Sequence, residues 1–199
     1  MKNLDSTGLK RLHREWRRRA EPDVALLLDS VQTPYNVGAI LRTAAAYRVS
    51  HLWFAGAPSP PTHAKVAKTA LGTGRYLTWT ICDEVEEALV DIASAGYGLV
   101  GVELAEGAQP INEVALGERT CLALGHEDRG LSSTVLVACD AVAYIPQLGK
   151  VGSLNVGTAA GIALYELNRR SWGRPEPRIR LSGSGRVDLD PESTPGTIH

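Results

Sequence analysis

The chain has 199 residues, 44% of them hydrophobic, which suits one globular domain with a sizeable core. No window is apolar for long enough to form a transmembrane helix, and the polar, basic N-terminus is unlike a signal peptide. The three cysteines, Cys82, Cys121 and Cys139, are scattered without the spacing of metal ligands. These features predict a cytoplasmic protein with reduced thiols, no metal site and no membrane anchor.

Charge is unevenly distributed, although the net charge is only −1. Residues 1–19 contain seven lysines or arginines and two acidic residues, and residues 169–199 contain six arginines and four acidic residues. Residues 20–168 instead contain eight basic and sixteen acidic residues. Basic terminal segments that flank an acidic central segment can bind a polyanion such as RNA. Basic tails can also simply keep a chain soluble.

The first predicted element is a short basic helix over residues 9–20, in which Leu9, Leu12 and Trp16 share one stripe. This stripe could dock on the core while the arginines face a partner. Residues 1–20 therefore form a predicted N-terminal extension, and residues 21–170 form the predicted main domain. The Pro, Gly, Ser and Arg content of residues 171–199 predicts a largely disordered tail.

From residue 24 onward, strand and helix patterns alternate. Strands are predicted at 24–28, 51–54, 77–81, 98–102, 121–124 and 141–145, and helices at 37–47, 62–71, 83–95, 132–138 and 154–170. This alternation predicts an α/β fold with a mostly parallel sheet covered by helices on both faces. The Gly-rich dinucleotide fingerprint is missing after the first strand, which argues against a nucleotide-dependent oxidoreductase.

Three polar turns follow predicted strands. In the first, Pro34 ends the strand pattern and Asn36 is a predicted helix N-cap. Arg42 lies about a turn and a half further along the predicted helix. In the second, the strand ending at Leu124 runs into Gly125, and Glu127 follows. Each turn alone is equally typical of an ordinary capped helix or a solvated loop.

The third turn runs from Ile145 through a Gly-rich segment to Ser153-Leu154-Asn155, which is predicted to open the last helix. The N-terminus of a helix offers free backbone N–H groups and the positive end of the helix dipole. An electron-rich ligand is favoured there, although a simple cap would have the same sequence.

Together and in this order, the three segments resemble the SpoU/TrmH family of SPOUT RNA 2'-O-ribose methyltransferases. The matching runs are Pro-Tyr-Asn-Val-Gly-Ala-Ile-Leu-Arg-Thr-Ala, Gly-His-Glu-Asp-Arg-Gly-Leu, and Ile-Pro followed by Ser-Leu-Asn-Val. The resemblance extends over residues 22–170 and is greatest to members that methylate a tRNA guanosine. It implies a C-terminal trefoil knot over residues 98–170, S-adenosylmethionine (AdoMet) as cofactor, RNA as substrate, and a homodimer.

The resemblance also implies site residues. The implied cofactor contacts are Val102, Leu124, Gly125, Ile145 and Leu154, and the implied catalytic group is Asn36, Arg42, Glu127, Ser153 and Asn155. The arginines expected to bind RNA are Arg11, Arg14, Arg17 and Arg18. No metal is implied.

Arginine is always protonated in proteins, so literal proton abstraction by Arg42 is chemically awkward. We expect Arg42 to orient an RNA phosphate, with phosphate or water receiving the proton. Glu127 is expected to anchor Asn36 or Arg42, while Ser153 and Asn155 position the ribose and close the cofactor loop.

The chain departs from the family pattern at four positions, which are His126, Gln147, Gly157 and Arg48 in place of the more usual Asn or Gln, Met, Ser and Gly. No departure removes an implied catalytic residue. The expected target is a guanosine in the tRNA D-loop. Ribosomal RNA, the tRNA wobble nucleotide and a non-catalytic knotted RNA-binding role remain alternatives.

A homodimer would pair through the knot and the first helix of the main domain, with Arg42 of one subunit reaching the cofactor site of the other. Small residues on two helices suit such close packing, although they could equally face the sheet. They are Ala39, Ala44, Ala45, Ala159, Ala160 and Ala163.

Overall fold

The computed structural model describes residues 3–18 and 23–172. The strands in these ranges are β1 Asp23–Asp29, β2 His51–Ala55, β3 Trp79–Cys82, β4 Gly98–Val102, β5 Gln109–Pro110, β6 Arg119–Leu124 and β7 Ala141–Tyr144. The helices are α1 Ser6–Arg17, α2 Pro34–Ala46, α3 Ala64–Ala70, α4 Val85–Ser94, α5 Ser133–Ala138 and α6 Val156–Trp172, with a short 3-10 turn at Thr73–Tyr76.

The strands form one sheet in the order β3-β2-β1-β6-β4-β7-β5, and every neighbouring pair is parallel. This confirms the predicted parallel α/β fold. Because all strands point the same way, their C-terminal ends meet at a single edge, which we call the carboxyl edge. Ligands of open parallel sheets bind at this edge.

Each face of the sheet has its own hydrophobic core, since successive strand residues point to opposite faces. Helices α2, α3 and α6 cover one face, where Ile40 and Leu164 pack with Leu26. Helices α4 and α5 cover the other, where Ile92 packs in the cluster that contains Leu27. Within the described residues, no helix is long and apolar enough to cross a bilayer.

Two predicted helix starts were wrong. Helix α2 begins at Pro34 rather than at residue 37, with Thr33 at the N-cap, because proline suits the first helical position. Asn36, predicted as the cap, is buried inside the first turn. Helix α6 begins at Val156, which leaves Ser153 and Leu154 in the preceding loop. The remaining predicted elements of the main domain agree with the structure to within about two residues at each end.

The predicted basic helix is present as α1, shifted three residues toward the N-terminus, and no residue of it is buried. The stripe of Leu9, Leu12 and Trp16 remains exposed, with the ring of Trp16 meeting that of Trp172 edge-on at 5.1 Å. The predicted junction at residues 19–22 and the tail from residue 173 lie outside the described residues.

The small residues of α2 and α6 face mainly inward. Ala44, Ala160 and Ala163 are completely buried, so they pack on the sheet rather than present a free face. The two helices are also close to each other, since a Cβ at Gly157 would touch that of Ala39 at 3.4 Å.

Candidate active site

The predicted cofactor residues and two of the predicted catalytic residues line one cleft of about 290 Å³ at the carboxyl edge, beyond the ends of β4, β6 and β7. All five predicted cofactor residues line this cleft, namely Val102, Leu124, Gly125, Ile145 and Leu154. Glu127 and Ser153 line it as well. Two loops form its walls: residues 125–132, here called the Glu127 loop, and residues 145–155, here called the Ser153 loop.

A chain of hydrogen bonds joins three of the predicted catalytic residues. Glu127 accepts bonds from the Asn36 side-chain amide at 2.9 Å and from the backbone N–H groups of Thr33 at 2.9 Å and Gln32 at 3.2 Å. Asn155 donates its side-chain amide to the Asn36 oxygen at 2.8 Å. The oxygen of Asn155 in turn accepts from two N–H groups in the first turn of α6, at 3.0 and 3.2 Å.

The carboxylate fixes the direction of every bond in this chain. An ionised carboxylate only accepts, so Asn36 must turn its NH2 toward Glu127 and its oxygen toward Asn155. Asn155 must then donate to Asn36, which leaves its own oxygen to cap α6. One negative charge therefore orients two amides and ties the N-termini of α2 and α6 to the Glu127 loop.

Glu127 is ionised at neutral pH. Burial alone would raise the pKa of Glu127, but the hydrogen bonds donated by Asn36 and by backbone N–H groups outweigh it and lower the pKa to about 2. A carboxylate with this pKa is a weak base. The geometry therefore supports an anchoring role for Glu127, and the residue that it anchors is Asn36.

Two further carboxylates hold the Glu127 loop, and sequence reasoning did not single them out. Asp29, buried at the end of β1, accepts from the Ser132 N–H at 2.7 Å. Glu103, directly after β4, accepts from the Leu131 N–H at 3.1 Å and from its own neighbour Leu104 at 2.8 Å. The only sequence signal for either residue is an acidic side chain at the end of an apolar strand.

Close backbone packing completes this wall. The backbone of Gly130 and Leu131 occupies the space that a Cβ of Gly125 would need. Gly130 has a φ of +68° and lies against the Glu103 carboxylate, so a side chain there would be both strained and obstructed. Paired backbone bonds between His126 and Gly130, at 3.0 and 2.8 Å, close the turn.

The Ser153 loop is more open. Leu148 and Val151 are exposed, and nothing lies within 4 Å of a Cβ built at Gly149 or Gly152. Gln147 lines the cleft, and its buried side-chain oxygen is without a hydrogen-bond partner among the described residues. A buried acceptor of this kind suits a ligand that carries N–H groups, and AdoMet has both an adenine amino group and an ammonium group.

Asn36 and Asn155 do not line the cleft themselves but are bonded to Glu127, which does, whereas Arg42 neither lines the cleft nor joins this chain of bonds. It is exposed on α2, two helical turns after Tyr35 on the same face, and it does not line the cavity. No carboxylate of residues 3–18 or 23–172 pairs with it. The predicted RNA-binding residues Arg11, Arg14, Arg17 and Arg18 are all exposed on α1 or directly after it. Among the residues that the structure describes, no cluster of three potential metal ligands occurs.

The family model for the SpoU rRNA methylases matches residues 23–165, most of the described chain. The chain belongs to the SpoU methyltransferase family. The family predicted from the three motifs is therefore confirmed.

Relatives within the family act on different RNAs. The tRNA (guanosine(18)-2'-O)-methyltransferase of Thermus thermophilus is 32% identical over 179 residues, which are 88% of this chain and 86% of that protein. A 23S rRNA (guanosine-2'-O-)-methyltransferase of Coxiella burnetii is 32% identical over 170 residues, 85% of this chain and 66% of that protein.

Among solved structures, the SpoU methyltransferase AviRb of Streptomyces viridochromogenes in complex with AdoMet is similar, with a TM-score of 0.69 and 28% identity. The match covers 75% of this chain and 61% of AviRb. The chain thus spans less than two thirds of AviRb and of the Coxiella protein, and most of the length of the Thermus protein.

Proposed function

We propose that this protein is an AdoMet-dependent RNA 2'-O-ribose methyltransferase that acts in the cytoplasm on a guanosine of the tRNA D-loop. The observation that carries the proposal is the Glu127–Asn36–Asn155 chain at the cleft, because it orders the polar groups of all three family motifs. The relation to the Thermus tRNA (guanosine(18)-2'-O)-methyltransferase, which covers most of both chains, supports the choice of tRNA.

The residues around the cleft fit the cofactor. Val102, Leu124 and Ile145 supply apolar walls, Gly125 brings the backbone close, and the orphaned oxygen of Gln147 offers an acceptor. AdoMet supplies an activated methyl group, so the protein has to align the ribose hydroxyl with it and help to remove one proton.

Different residues would align the ribose and assist the removal of its proton. Glu127, ionised and fully bonded, holds Asn36 and Asn155 in fixed orientations, while the exposed Ser153 faces the cleft where the ribose would enter. Arg42 would hold an RNA phosphate through its guanidinium, and that phosphate or a water would receive the proton.

The position of Arg42 supports a homodimer. Arg42 is exposed and does not line the cleft of its own chain, so the site would be completed by Arg42 of the partner subunit. Exposed Tyr35 on α2 and exposed Ile162 and Tyr165 on α6 offer apolar contact area on the same side of the molecule. The trefoil knot stays a prediction from the resemblance.

A complementation experiment tests the shared site. Arg42→Ala and Glu127→Ala subunits should each be inactive alone. Mixed dimers should regain activity, since one of their two clefts combines an intact Glu127 with an intact Arg42. Random mixing restores about a quarter of the sites in a symmetric dimer. Mixing without recovery, or an active monomer by light scattering, would contradict the shared site.

The substrate is tested by mapping methylated nucleosides in RNA from a deletion strain. Loss of the 2'-O-methyl group from the D-loop guanosine is the expected result. An unchanged D-loop with a missing ribosomal or wobble-position methyl group would refute the tRNA assignment. Purified protein that binds RNA but neither binds AdoMet nor transfers methyl groups would instead show a non-catalytic RNA-binding protein.

A further inference from the structure

One long stretch of this chain contains no acidic residue. Between Asp29 and Asp83 there is no Asp or Glu, although the chain has 22 such residues in all. The same stretch holds five of the eight basic residues found between residues 20 and 168. They are Arg42, Arg48, Lys65, Lys68 and Arg75.

The fold gathers this stretch on one side of the molecule. Helices α2 and α3 and the 3-10 turn pack against one another on the face of the sheet that α6 also covers. The contact is close because Gly38 has no side chain, and the side chain of Thr69 and the carbonyl of Val66 lie where its Cβ would be. The basic residues therefore belong to one continuous surface.

The opposite face of the same strands has the opposite charge. Helix α4 and the turn before it, residues 83–94, contain five acidic residues and no basic ones. Glu86, Glu87 and Asp91 are exposed there. A polyanion that approaches the molecule is thus attracted to one face of the sheet and repelled from the other.

We call Arg48, Lys65, Lys68 and Arg75 the basic surface, and all four are exposed. Within residues 3–18 and 23–172, none of them has an ion-pair partner. Arg75 lies over the ring of the exposed Tyr76 at 4.7 Å, an arrangement that also suits stacking with an RNA base.

Arg48 occupies a position that favours glycine. Its φ is +55°, in the left-handed region, at the C-terminal end of α2. A non-glycine residue costs conformational energy there, and family members commonly carry glycine. This chain has a cation at that position in spite of the strain, and no ion pair of its side chain within the described residues accounts for it.

Helix α2 links the candidate active site to the basic surface, since Asn36 lies in its first turn and Arg48 follows its C-terminal end. Helix α2 starts at the carboxyl edge with Asn36 in its first turn and runs back across the sheet for about 20 Å, as expected for its length. RNA with one ribose in the cleft would reach α3 and the 3-10 turn as it leaves. Asn36 and the basic surface are therefore carried by elements that pack against one another on the same face of the sheet.

We propose that the basic surface binds backbone phosphates of the RNA next to the methylated nucleotide, while the acidic face of α4 keeps RNA from binding on the wrong side. This inference rests on the proposed function. It adds to the exposed arginines of α1 a second, independent contact that the folded domain itself provides.

The first experiment is the triple variant Lys65→Ala/Lys68→Ala/Arg75→Ala, tested with tRNA over a range of salt concentrations. Loss of three phosphate contacts should lower the slope of log affinity against log salt by about two to three and weaken binding at least about tenfold at low salt. Turnover at saturating RNA and AdoMet affinity should be unchanged, which also verifies that the variant is folded.

A matched control distinguishes the effect of where the cations lie from the effect of the protein's net charge on RNA binding. Adding Glu106→Gln, Glu113→Gln and Glu118→Gln, which are exposed and lie outside α4, to the triple variant restores the net charge without rebuilding the basic surface or removing the acidic face. RNA binding should stay weak in this variant if the location of the cations matters. Recovery of affinity would overturn the proposal and leave only a general effect of charge.

Arg48→Gly gives a second test, in which stability and RNA affinity should change in opposite directions. The change relieves the left-handed strain, so the melting temperature should rise, while RNA affinity should fall because one phosphate contact is lost. A rise in stability with unchanged RNA affinity would remove Arg48 from the basic surface.

The outcomes also distinguish this inference from the proposed function. Wild-type protein that methylates tRNA while the triple variant keeps the same affinity and salt slope would overturn the basic surface alone. Wild-type protein that binds RNA through the basic surface without methyl transfer would overturn the activity alone. Wild-type protein that binds no RNA would overturn both.

Discussion

The two walls of the cleft differ in how they are held. Backbone N–H groups of the Glu127 loop are fixed by carboxylates at the ends of β1 and β4, the two strands that flank β6, while Glu127 itself accepts from the N–H of Thr33 at the start of α2. The Ser153 loop has exposed apolar residues, open glycines and one buried oxygen without a partner in the described chain.

This difference indicates that the two walls of the cleft have different roles. Segments with few packed contacts open at a low free-energy cost, whereas a wall held by charged hydrogen bonds keeps its shape without a ligand. Catalytic groups benefit from the second kind of wall, and a loop that closes over a cofactor needs the first. We therefore expect substitutions in the fixed wall to affect turnover and those in the open wall to affect cofactor binding.

The largest effect is expected for Glu127→Gln. A glutamine brings an NH2 group to a position surrounded by donors, so at least one of the bonds that Glu127 accepts from Gln32, Thr33 and Asn36 is replaced by donor–donor repulsion. Single-turnover methyl transfer should fall by about two to three orders of magnitude. Asp128→Asn, which removes an exposed negative charge in the same turn, is the matched control. Turnover near the wild-type rate in Glu127→Gln would show that the carboxylate does not order the site.

Sequence reasoning found the members of this network but not its connections. Local rules identified the apolar strands, the alternation and the three polar turns, because each depends on residues close together in the chain. The bond from Asn36 to Glu127 joins residues 91 positions apart, and the bond from Ser132 to Asp29 joins residues 103 apart. No local pattern contains these partners.

The same limit explains the wrong assignment of Asn36. An asparagine before a helical pattern is a good N-cap by local preference, but here the half-buried carboxylate of Glu127 offers it a charged partner. The cap of α6 was missed for a related reason, since Asn155 caps the helix one residue beyond the predicted start. Strand β5 was missed because it has only two residues and one of them is Pro110.

The next largest effect is expected for Glu103→Ala. Without this carboxylate the Leu131 N–H loses its acceptor, and the Glu127 loop is no longer tied to the end of β4. Because this tie shapes the cofactor wall, the KM for AdoMet should rise by about tenfold, the size of one charged hydrogen bond. The KM for RNA should remain unchanged.

Glu106→Ala, an exposed carboxylate three residues later, is the control for Glu103→Ala. Isothermal titration with S-adenosylhomocysteine measures the cofactor effect without turnover. A lower melting temperature with no change in this affinity would mean that Glu103 stabilises the fold without shaping the cleft.

A smaller effect is expected in the open wall, for Gln147→Met. Methionine is the residue that the family resemblance implies at this position, and it has similar length but no strong acceptor. Loss of one neutral hydrogen bond should weaken AdoMet binding by about fivefold, with turnover at saturating AdoMet unchanged. Equal or tighter binding in Gln147→Met would show that the orphaned oxygen of Gln147 does not contact the cofactor.

The smallest effect concerns pH. The pKa of Glu127 lies at about 2 in the folded protein, below its ordinary value of 4.5, because hydrogen bonds to the ionised form outweigh the effect of burial. The folded carboxylate therefore binds a proton less readily than the unfolded one. Its contribution to stability is complete above about pH 4.5 and is lost as the pH falls toward 2.

Thermal melts of wild type and Glu127→Gln between pH 7 and pH 3 test this directly. The difference in melting temperature should stay constant above about pH 5.5 and shrink by a few degrees toward pH 3, because only the wild type loses the carboxylate's contribution. The pKa values of Asp23 and Glu166 are also lowered, but both residues are present in the two proteins and cancel in the comparison. A difference that stays the same down to pH 3 would mean that Glu127 is not held in its ionised form, and only Asp29 and Glu103 would then distinguish the Glu127 loop from the more open Ser153 loop.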